Sequence, residues 1–188
     1  DEGCRMKNIA ALLFEANILK KIPRSGYHFL GVGKESVAEH SFSATFIAYV
    51  MSMMDPEIDS LRLISMCLIH DLPEARIGDQ NYVQKKYVIA DEEKAVADAT
   101  GHLPFGQSMA DLITEFNEQK THEANLAYDA DQLSFILDLK SIADTGHKSP
   151  DQWLPVVQQR LKTDVGKGLA EQIMATTWDA WWMDNYQE

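Results

Sequence analysis

A proline among potentially reactive side chains is the feature that most constrains this chain. An apolar run over residues 61–69 is typical of a buried helix, and it is followed by His70, Asp71, Pro73 and Glu74. The Pro73 ring clashes with the carbonyl group four residues earlier, so we expect the helix to kink or end here. Neighbouring side chains on a regular helix point about 100° apart, but at a broken helix end His70 and Asp71 can both face one ion. The pattern fits either a polar helix end, in which His70 caps free carbonyls, or a metal or acid–base site.

The charge balance limits the classes of ligand. The chain has 17 basic and 29 acidic residues among 188, which gives a net charge of −12. Binding to a long nucleic acid depends on many Lys and Arg contacts to phosphates, so we do not expect such a partner. A small phosphorylated substrate remains compatible with this charge, because a metal and one or two local cations can hold it. Arg24, in a predicted loop, is either such a cation or a solvated charge.

The cysteines and the apolar runs indicate a cytoplasmic protein without a membrane anchor. Cys4 and Cys67 are the two cysteines of the chain, which is no disulfide framework and fits a reducing compartment. We expect Cys67 to be a buried thiol rather than a metal ligand. The longest apolar runs are too short to span a membrane, and residues 1–5 lack a signal-peptide pattern.

Apolar residues at helical spacing and recurrent capping signals predict an all-α protein of one domain. Ser36 and Glu39 have the spacing of a capping box, and Asp59 is a candidate N-cap for the helix that leads to His70. In the helix after Ser36 we expect the apolar residues at 42, 46, 47, 50 and 54 to face the core. Helices are predicted over 6–20, 37–54, 59–69, 91–101, 108–119 and 121–144, from 149 onward, and over 164–185.

Two further polar residues, His40 and Asp131, lie near predicted apolar helix faces. His40 falls in the first turn of its helix, where it is either a surface or capping residue or part of a site. Asp131 lies beside the apolar stripe of the 121–144 helix, and a carboxylate there needs a partner because burial of an unpaired charge is unfavourable. That partner is a metal, a salt bridge or solvent. By contrast, we expect Asp129 and Asp138 to be solvated.

These candidates together have the chemistry of a metal site. Two imidazoles and two carboxylates suit one divalent transition metal such as Mn, Co, Ni, Fe or Zn. Four protein ligands on a metal that prefers six leave positions for water and substrate. The metal also lowers the pKa of its bound water. Glu74 is placed to orient that water or to move its proton. The four candidate ligands are His40, His70, Asp71 and Asp131.

The order His, His-Asp, Asp resembles the HD-domain superfamily of metal-dependent phosphohydrolases. The fuller motifs resemble its 5'-deoxynucleotidase branch, and they cover about residues 12–140. They are Pro23-Arg24-Ser25-Gly26-Tyr27, Ser36-Val37-Ala38-Glu39-His40-Ser41, His70-Asp71-Leu72-Pro73-Glu74 with Gly78-Asp79, and Ala130-Asp131.

This resemblance implies an HD-domain helical bundle over residues 1–188 that hydrolyses deoxynucleoside 5'-monophosphates to deoxynucleoside and phosphate by attack of a metal-bound water. It implies a homodimer, with the helices of about 150–185 completing the bundle or contributing a dimer contact. Two positions depart from the pattern, because Tyr27 replaces a frequent Trp and Gln132 a frequent Lys. The implied site consists of metal ligands His40, His70, Asp71 and Asp131, catalytic Glu74 and Asp79, and substrate-binding Arg24 and Tyr27.

Three other interpretations remain open. The enzyme could act on another small phosphate ester, or the chain could be a helical protein that binds a metal or nucleotide without turnover. A phosphodiesterase with two metals fits less well, because it needs further histidines between Asp71 and Asp131. His102 and His122 fall in that interval, but neither belongs to a recognisable ligand motif.

Overall fold

Helices make up nearly all the regular structure of residues 2–186, the part of the chain that the computed structural model describes. Asp1, Gln187 and Glu188, at the ends of the predicted 1–188 domain, lie outside the described residues. None of the described helices is long and apolar enough to cross a lipid bilayer. The eight longer helices are α1 (Glu2–Ile18), α2 (Val37–Met54), α3 (Ser60–Ile69), α4 (Glu92–Thr100), α5 (Gly106–Glu118), α6 (His122–Asp144), α7 (Pro150–Gln158) and α8 (Asp164–Ala175), and shorter helical turns cover Leu19–Lys21, Tyr27–Leu30, Glu74–Ile77, Gln84–Lys86 and Ala180–Met183.

The longest helix, α6, lies at the centre of the fold. It packs against α2, α3, α5, α7 and α8, so its buried face forms the middle of the core. Each fully buried Leu or Ile on this face contributes roughly 1.5–3 kcal/mol by removal from water. Apolar spacing predicts a buried stripe at positions 126, 130, 133, 136, 137 and 139 of this helix. The stripe is confirmed apart from Leu137, which is exposed. The fully buried members are Leu126, Ala130, Leu133, Ile136 and Leu139.

Side-chain caps set the starts of α2 and α3 as predicted. The Ser36 N–H donates to Glu39 Oε2 at 2.6 Å, and the Glu39 N–H donates to Ser36 Oγ at 3.2 Å, so the capping box is confirmed. Asp59 Oδ1 accepts from the Arg62 N–H at 3.0 Å. These caps place His40 in the first turn of α2, while α3 ends just before His70.

The predicted core face of α2 is wrong for Phe42, Phe46, Val50 and Met54, which are exposed, whereas Ile47 is partly buried and packs against the core. Phe42 and Phe46 are 72% and 57% exposed, while Ala44, Ala48 and Met51 are fully buried. α2 packs against both α3 and α6, and its alanines allow a close approach of the neighbouring backbones. Because α2 is apolar almost all round, apolar spacing could not identify the face that packs. A row of aromatic and aliphatic side chains is therefore left on the surface.

The predicted C-terminal helix over 164–185 is interrupted. α8 ends at Ala175, and Thr176 has extended backbone angles of φ −108° and ψ 136°. Thr176 is β-branched and has a low helix propensity, and its hydroxyl donates to the Gln172 carbonyl at 2.7 Å. The tryptophans that follow are not core residues, since Trp178, Trp181 and Trp182 are 46%, 77% and 40% exposed.

Asp129 was predicted to be solvated, and this is wrong. The residue is fully buried and accepts three hydrogen bonds from the start of α8. The donors are the Lys162 N–H at 2.8 Å, the Thr163 N–H at 2.8 Å and the Thr163 hydroxyl at 2.6 Å. Asp129 therefore anchors the N-terminal end of α8 to α6 through hydrogen bonds.

We expect Asp129→Ala to lower the free energy of unfolding by roughly 3 kcal/mol, because buried donors lose their acceptor. For a chain of this size this corresponds to a fall in Tm of about 6–12 °C. Thermal unfolding followed by circular dichroism measures the change. Asp111→Ala is the matched control, since Asp111 is exposed and accepts from Gln107 on its own helix. Equal Tm values for the two variants would contradict the anchoring role.

Candidate active site

The candidate ligands come from three helices that meet at one point. His40 lies in the first turn of α2, His70 directly follows α3, and Asp131 lies in the middle of α6. One ligand atom from each of these three residues lies within 4.8 Å of the other two. His40 Nε2 is 2.7 Å from Asp131 Oδ1, and His70 Nε2 is 3.7 Å from the same oxygen. These ligand atoms are therefore close enough together to coordinate one metal ion.

Asp71 borders the same group. Its Oδ1 is 3.3 Å from His70 Nε2, and its Oδ2 is 3.7 Å from His40 Nε2. The broken helix end makes this possible, because His70 is the last residue with a helical hydrogen bond to Met66 and a turn follows it. All four predicted ligands thus lie together in the structure, while their binding of a metal stays a prediction.

Outer hydrogen bonds orient the two imidazoles. His70 Nδ1 lies 2.9 Å from the Cys67 carbonyl oxygen. A carbonyl only accepts, so Nδ1 carries the hydrogen and Nε2 of the neutral ring presents its lone pair to the cluster. His40 Nδ1 lies 3.1 Å from Ser134 Oγ and 3.9 Å from Glu35 Oε2. Such outer partners are typical of metal-ligating histidines.

The donor atoms of the cluster fit a divalent metal. His70 Nε2, Asp71 Oδ2 and Glu74 Oε2 are buried without a hydrogen-bond partner among the described residues. Burial of polar atoms without a partner is unfavourable by about 1–3 kcal/mol each, and a bound cation would satisfy them. Imidazole nitrogens with carboxylate oxygens suit a divalent transition metal. We infer that the residues present can hold such an ion.

The electrostatics of the cluster favour positive charge. Burial opposes the imidazolium form of His70, but Asp71 and Asp131 outweigh it and raise the pKa of His70 well above its usual value. Burial, together with the negative charges of Asp71 and Asp79, raises the pKa of Glu74 to about 9. Nearby carboxylates contribute to both shifts, while burial raises the pKa of Glu74 and lowers that of His70.

Arg24 faces this negative cluster and is not a solvated loop charge. Its side chain is only 19% exposed, and Nε lies 3.6 Å from Glu35 Oε2. Burial lowers the pKa of Arg24, but nearby carboxylates, Asp131 first among them, outweigh that effect and raise it above its usual value. The guanidinium is therefore charged and lies beside the candidate metal ligands.

Asp79 connects the loop after the His-Asp segment to the loop that carries Arg24. Its Oδ2 accepts from the Ser25 N–H at 2.7 Å, and the Ser25 hydroxyl donates to the Asp79 carbonyl at 2.7 Å. Gly78, which precedes it, has a φ of 73° that favours glycine. This geometry gives Asp79 a role in positioning Arg24, and the predicted catalytic role stays a prediction.

Two adjoining cavities open from the cluster. A cavity of about 380 Å³ lies over His70, Asp71 and Glu74. A second of about 530 Å³ is lined by Tyr27 and by residues of α6 and α7. Tyr27 is buried, and its hydroxyl donates to Asp138, so Asp138 is not a solvated charge either. The two cavities share Arg24, Asp79, Lys85 and Asp131.

Sequence reasoning missed several residues of this site. Glu35 contacts Arg24 and His40, yet it precedes the motif that contains His40 and carries no signal of its own. Trp153 and Arg160 lie on the chain after the motifs and reach the larger cavity only because α7 packs against α6. Lys85, a cation in the loop after an acidic motif, could have been singled out by its charge.

The two histidines considered for a second metal lie elsewhere. His102 and His122 are exposed, and neither belongs to the group of ligand atoms formed by the described residues. The geometry of the described chain therefore favours a single ion.

Known proteins resemble this chain in sequence. A family model described as HD domain matches residues 16–174. The human 5'-deoxynucleotidase HDDC2 is 29% identical over 136 residues, which cover 69% of this chain and 66% of that protein. The 5'-deoxynucleotidase HDDC2 of Dictyostelium discoideum is 30% identical over 131 residues, which cover 63% of this chain and 69% of that protein. The chain thus spans about two-thirds of the length of these relatives.

Solved structures share the fold. A conserved hypothetical protein from Pyrococcus furiosus aligns with a TM-score of 0.77 and 26% identity, over 89% of this chain and 99% of that chain. A predicted metal-dependent phosphohydrolase from Magnetospirillum magnetotacticum aligns with a TM-score of 0.71 over 91% of each chain. At 23% identity the second likeness concerns the fold alone.

Proposed function

This chain belongs to the HD-domain family, and from that membership we propose that it hydrolyses deoxynucleoside 5'-monophosphates to deoxynucleosides and phosphate with the help of a divalent metal. The observation that carries the proposal is the buried group of His40, His70 and Asp131 beside Arg24. It combines a place for a metal with a cation for a phosphate. The relatives named 5'-deoxynucleotidases support the choice of substrate.

In this proposal His40, His70, Asp71 and Asp131 hold one divalent ion, which we take to be Mn, Co, Ni, Fe or Zn. Such an ion lowers the pKa of water and offsets negative charge on a phosphoryl group. The Cys67 carbonyl keeps the His70 lone pair directed at the cluster, at an Nδ1–O distance of 2.9 Å. The 380 Å³ cavity that His70, Asp71 and Asp131 line would leave space for water and substrate beside such an ion.

Two residues next to the ligands have separate roles. Glu74 lines the same cavity, and a divalent cation at the cluster would lower its pKa and keep it ionised. We propose that the carboxylate then orients the attacking water and accepts its proton. Arg24 contacts both cavities, and we propose that its planar guanidinium binds the phosphate oxygens, which it can do in a bidentate way. The Asp79–Ser25 hydrogen bonds hold the Arg24 loop in place for that contact.

Phosphate release from a panel of deoxy- and ribonucleoside 5'-monophosphates tests the function. Protein freed of metal by chelation is resupplied with Mn, Co, Ni, Fe, Zn or Mg. We expect release that depends on added metal and is confined to deoxynucleotides. Equal release from all phosphate esters would instead indicate a phosphatase with another natural substrate. No release from protein that retains a metal would contradict the enzymatic proposal.

We also propose that the protein is a homodimer that pairs through the exposed face of α2. Between Ser41 and Met54 this helix carries no charged residue, although the chain has a net charge of −12. Two copies repel each other through their acidic surfaces, so an uncharged face is where they can approach. A two-fold axis would place the same patch of both copies in contact. The exposed members of the patch are Phe42, Phe46, Tyr49, Val50, Met53 and Met54.

We expect Phe46→Glu to convert the dimer into monomers of 21.2 kDa, because it places a buried charge opposite its own copy across the axis. Sedimentation or light scattering measures the mass. Val88→Glu, at another exposed apolar position, is the matched control and should leave the dimer intact. A wild-type monomer, or a dimer that survives Phe46→Glu, would exclude this interface.

A further inference from the structure

The larger cavity has a wall from the part of the chain that follows the motifs. Its volume of about 530 Å³ lies in the range of small-molecule sites, and it opens beside Arg24 and Asp131. Trp153, on α7, and Arg160, just after α7, form its far side. A substrate whose phosphate contacts Arg24 would extend into this space.

We propose that this cavity binds the nucleoside and that Arg160 selects bases with carbonyl oxygens, guanine above all, over adenine. The inference rests on the proposed function, because it concerns the same substrate at the same site. It assigns the choice of base to a residue outside the motifs, which contribute the groups near the phosphate.

Aromatic rings form a wall for a flat base. The Phe135 ring lies with its centroid 6.0 Å from that of Tyr27 and 6.0 Å from that of Trp153, at interplanar angles of 77° and 78°. All three rings line the cavity. A base that stacks on such a surface gains binding energy whatever its identity. The aromatic wall therefore explains binding of a nucleoside but not discrimination between bases.

Discrimination requires polar groups, and Arg160 has the largest donor capacity among those that line the cavity apart from Arg24, which is assigned to the phosphate. Its guanidinium has five N–H donors and no acceptor. Among the described residues it makes one long hydrogen bond, from Nη1 to Gln132 Oε1 at 3.4 Å. The side chain is exposed, so its donors can turn toward a ligand. Arg160 thereby brings a positive charge next to Gln132.

The carboxylates of the cavity already have partners. Asp131 Oδ2 accepts from Gln132 Nε2 at 2.7 Å, and its Oδ1 lies against His40. Asp79 accepts from the Ser25 N–H. The wall thus has more N–H donors than unused acceptors, which favours a base edge that accepts. Guanine has O6 and N7 for a bidentate contact with arginine, whereas adenine has an amino donor in place of O6.

The kinetic test compares deoxyguanosine and deoxyadenosine 5'-monophosphates in wild type and Arg160→Gln. We expect wild type to prefer the guanine nucleotide, and the substitution to lower kcat/KM for it about tenfold or more, the range of one bidentate base contact. The adenine nucleotide and 4-nitrophenyl phosphate, which lacks a base, should change less than about threefold. Lys167→Gln, on exposed α8 surface, is the matched control for loss of a positive charge.

A binding test separates this inference from the proposed function. Calorimetry with deoxyguanosine and deoxyadenosine needs no turnover, so it remains decisive if no ester is hydrolysed. We expect deoxyguanosine to bind more tightly and Arg160→Gln to abolish the difference. Trp153→Ala should weaken both nucleosides about tenfold through the lost stacking face. Equal affinities in wild type, or a preference that survives Arg160→Gln, would overturn the assignment.

Discussion

Asp131→Ala is expected to remove the bound metal and to lower phosphate release about 10³-fold or more. Asp131 is the residue that joins the two imidazoles, since its Oδ1 lies 2.7 Å from His40 Nε2 and 3.7 Å from His70 Nε2. Burial raises the pKa of Asp131, but its contacts with the two imidazoles outweigh burial and keep that pKa well below its usual value. A metal supplies several kcal/mol of transition-state stabilisation, and each 1.4 kcal/mol corresponds to about tenfold in rate.

Two measurements on purified Asp131→Ala decide this prediction: its metal content, by inductively coupled plasma mass spectrometry, and its rate of phosphate release. Asp131→Asn keeps the volume and serves as the conservative variant, and circular dichroism reports whether either variant is folded. Asp111→Ala, an exposed acid on α5, should retain both metal and activity. A folded Asp131→Ala protein with a full complement of metal would show that the ion binds elsewhere.

Glu74→Gln is expected to keep the metal and to lose most turnover, with kcat reduced about 10²–10⁴-fold. The Glu74 carboxylate lines the cavity over the cluster, and its Oε2 has no hydrogen-bond partner among the described residues. Glutamine preserves the shape but cannot accept a proton at neutral pH. The proposal thus separates this residue from the four candidate ligands, whose replacement should remove metal and activity together.

The diagnostic for Glu74 is the combination of metal content and kcat. Glu118→Gln, an exposed position at the end of α5, controls for the loss of one carboxylate. Loss of the metal in Glu74→Gln would make Glu74 a ligand. Unchanged turnover with metal present would exclude the proposed proton transfer.

Local sequence predicted the helices that carry the site, because their signals act within a few residues. The Ser36–Glu39 capping box and the Asp59 cap are satisfied by neighbouring backbone groups. The Pro73 ring acts on the carbonyl of the preceding turn, and the helix ends just before His70 as expected. Such interactions involve residues a few positions apart, so they do not depend on how the rest of the chain folds.

Burial in three dimensions could not be derived in the same way. Asp129 and Asp131 are neighbours on α6, yet one anchors the start of α8 and the other lies against His40. Spacing alone could not assign these roles, because each is set by an element distant in sequence. The exposed face of α2 has the same origin. Nearly every side of this helix is apolar, so the positions of the neighbouring helices determine which side is buried.

The sequence by itself determined the helical fold class, the helix starts and the candidate ligands, because capping, proline sterics and apolar spacing are short-range effects. The tertiary structure alone decided the Asp79–Ser25 link and the contribution of Trp153 and Arg160 to the larger cavity. These features depend on contacts between segments far apart in the chain. The packing of the helices around α6 creates those contacts, so they have no signature in any local stretch of sequence.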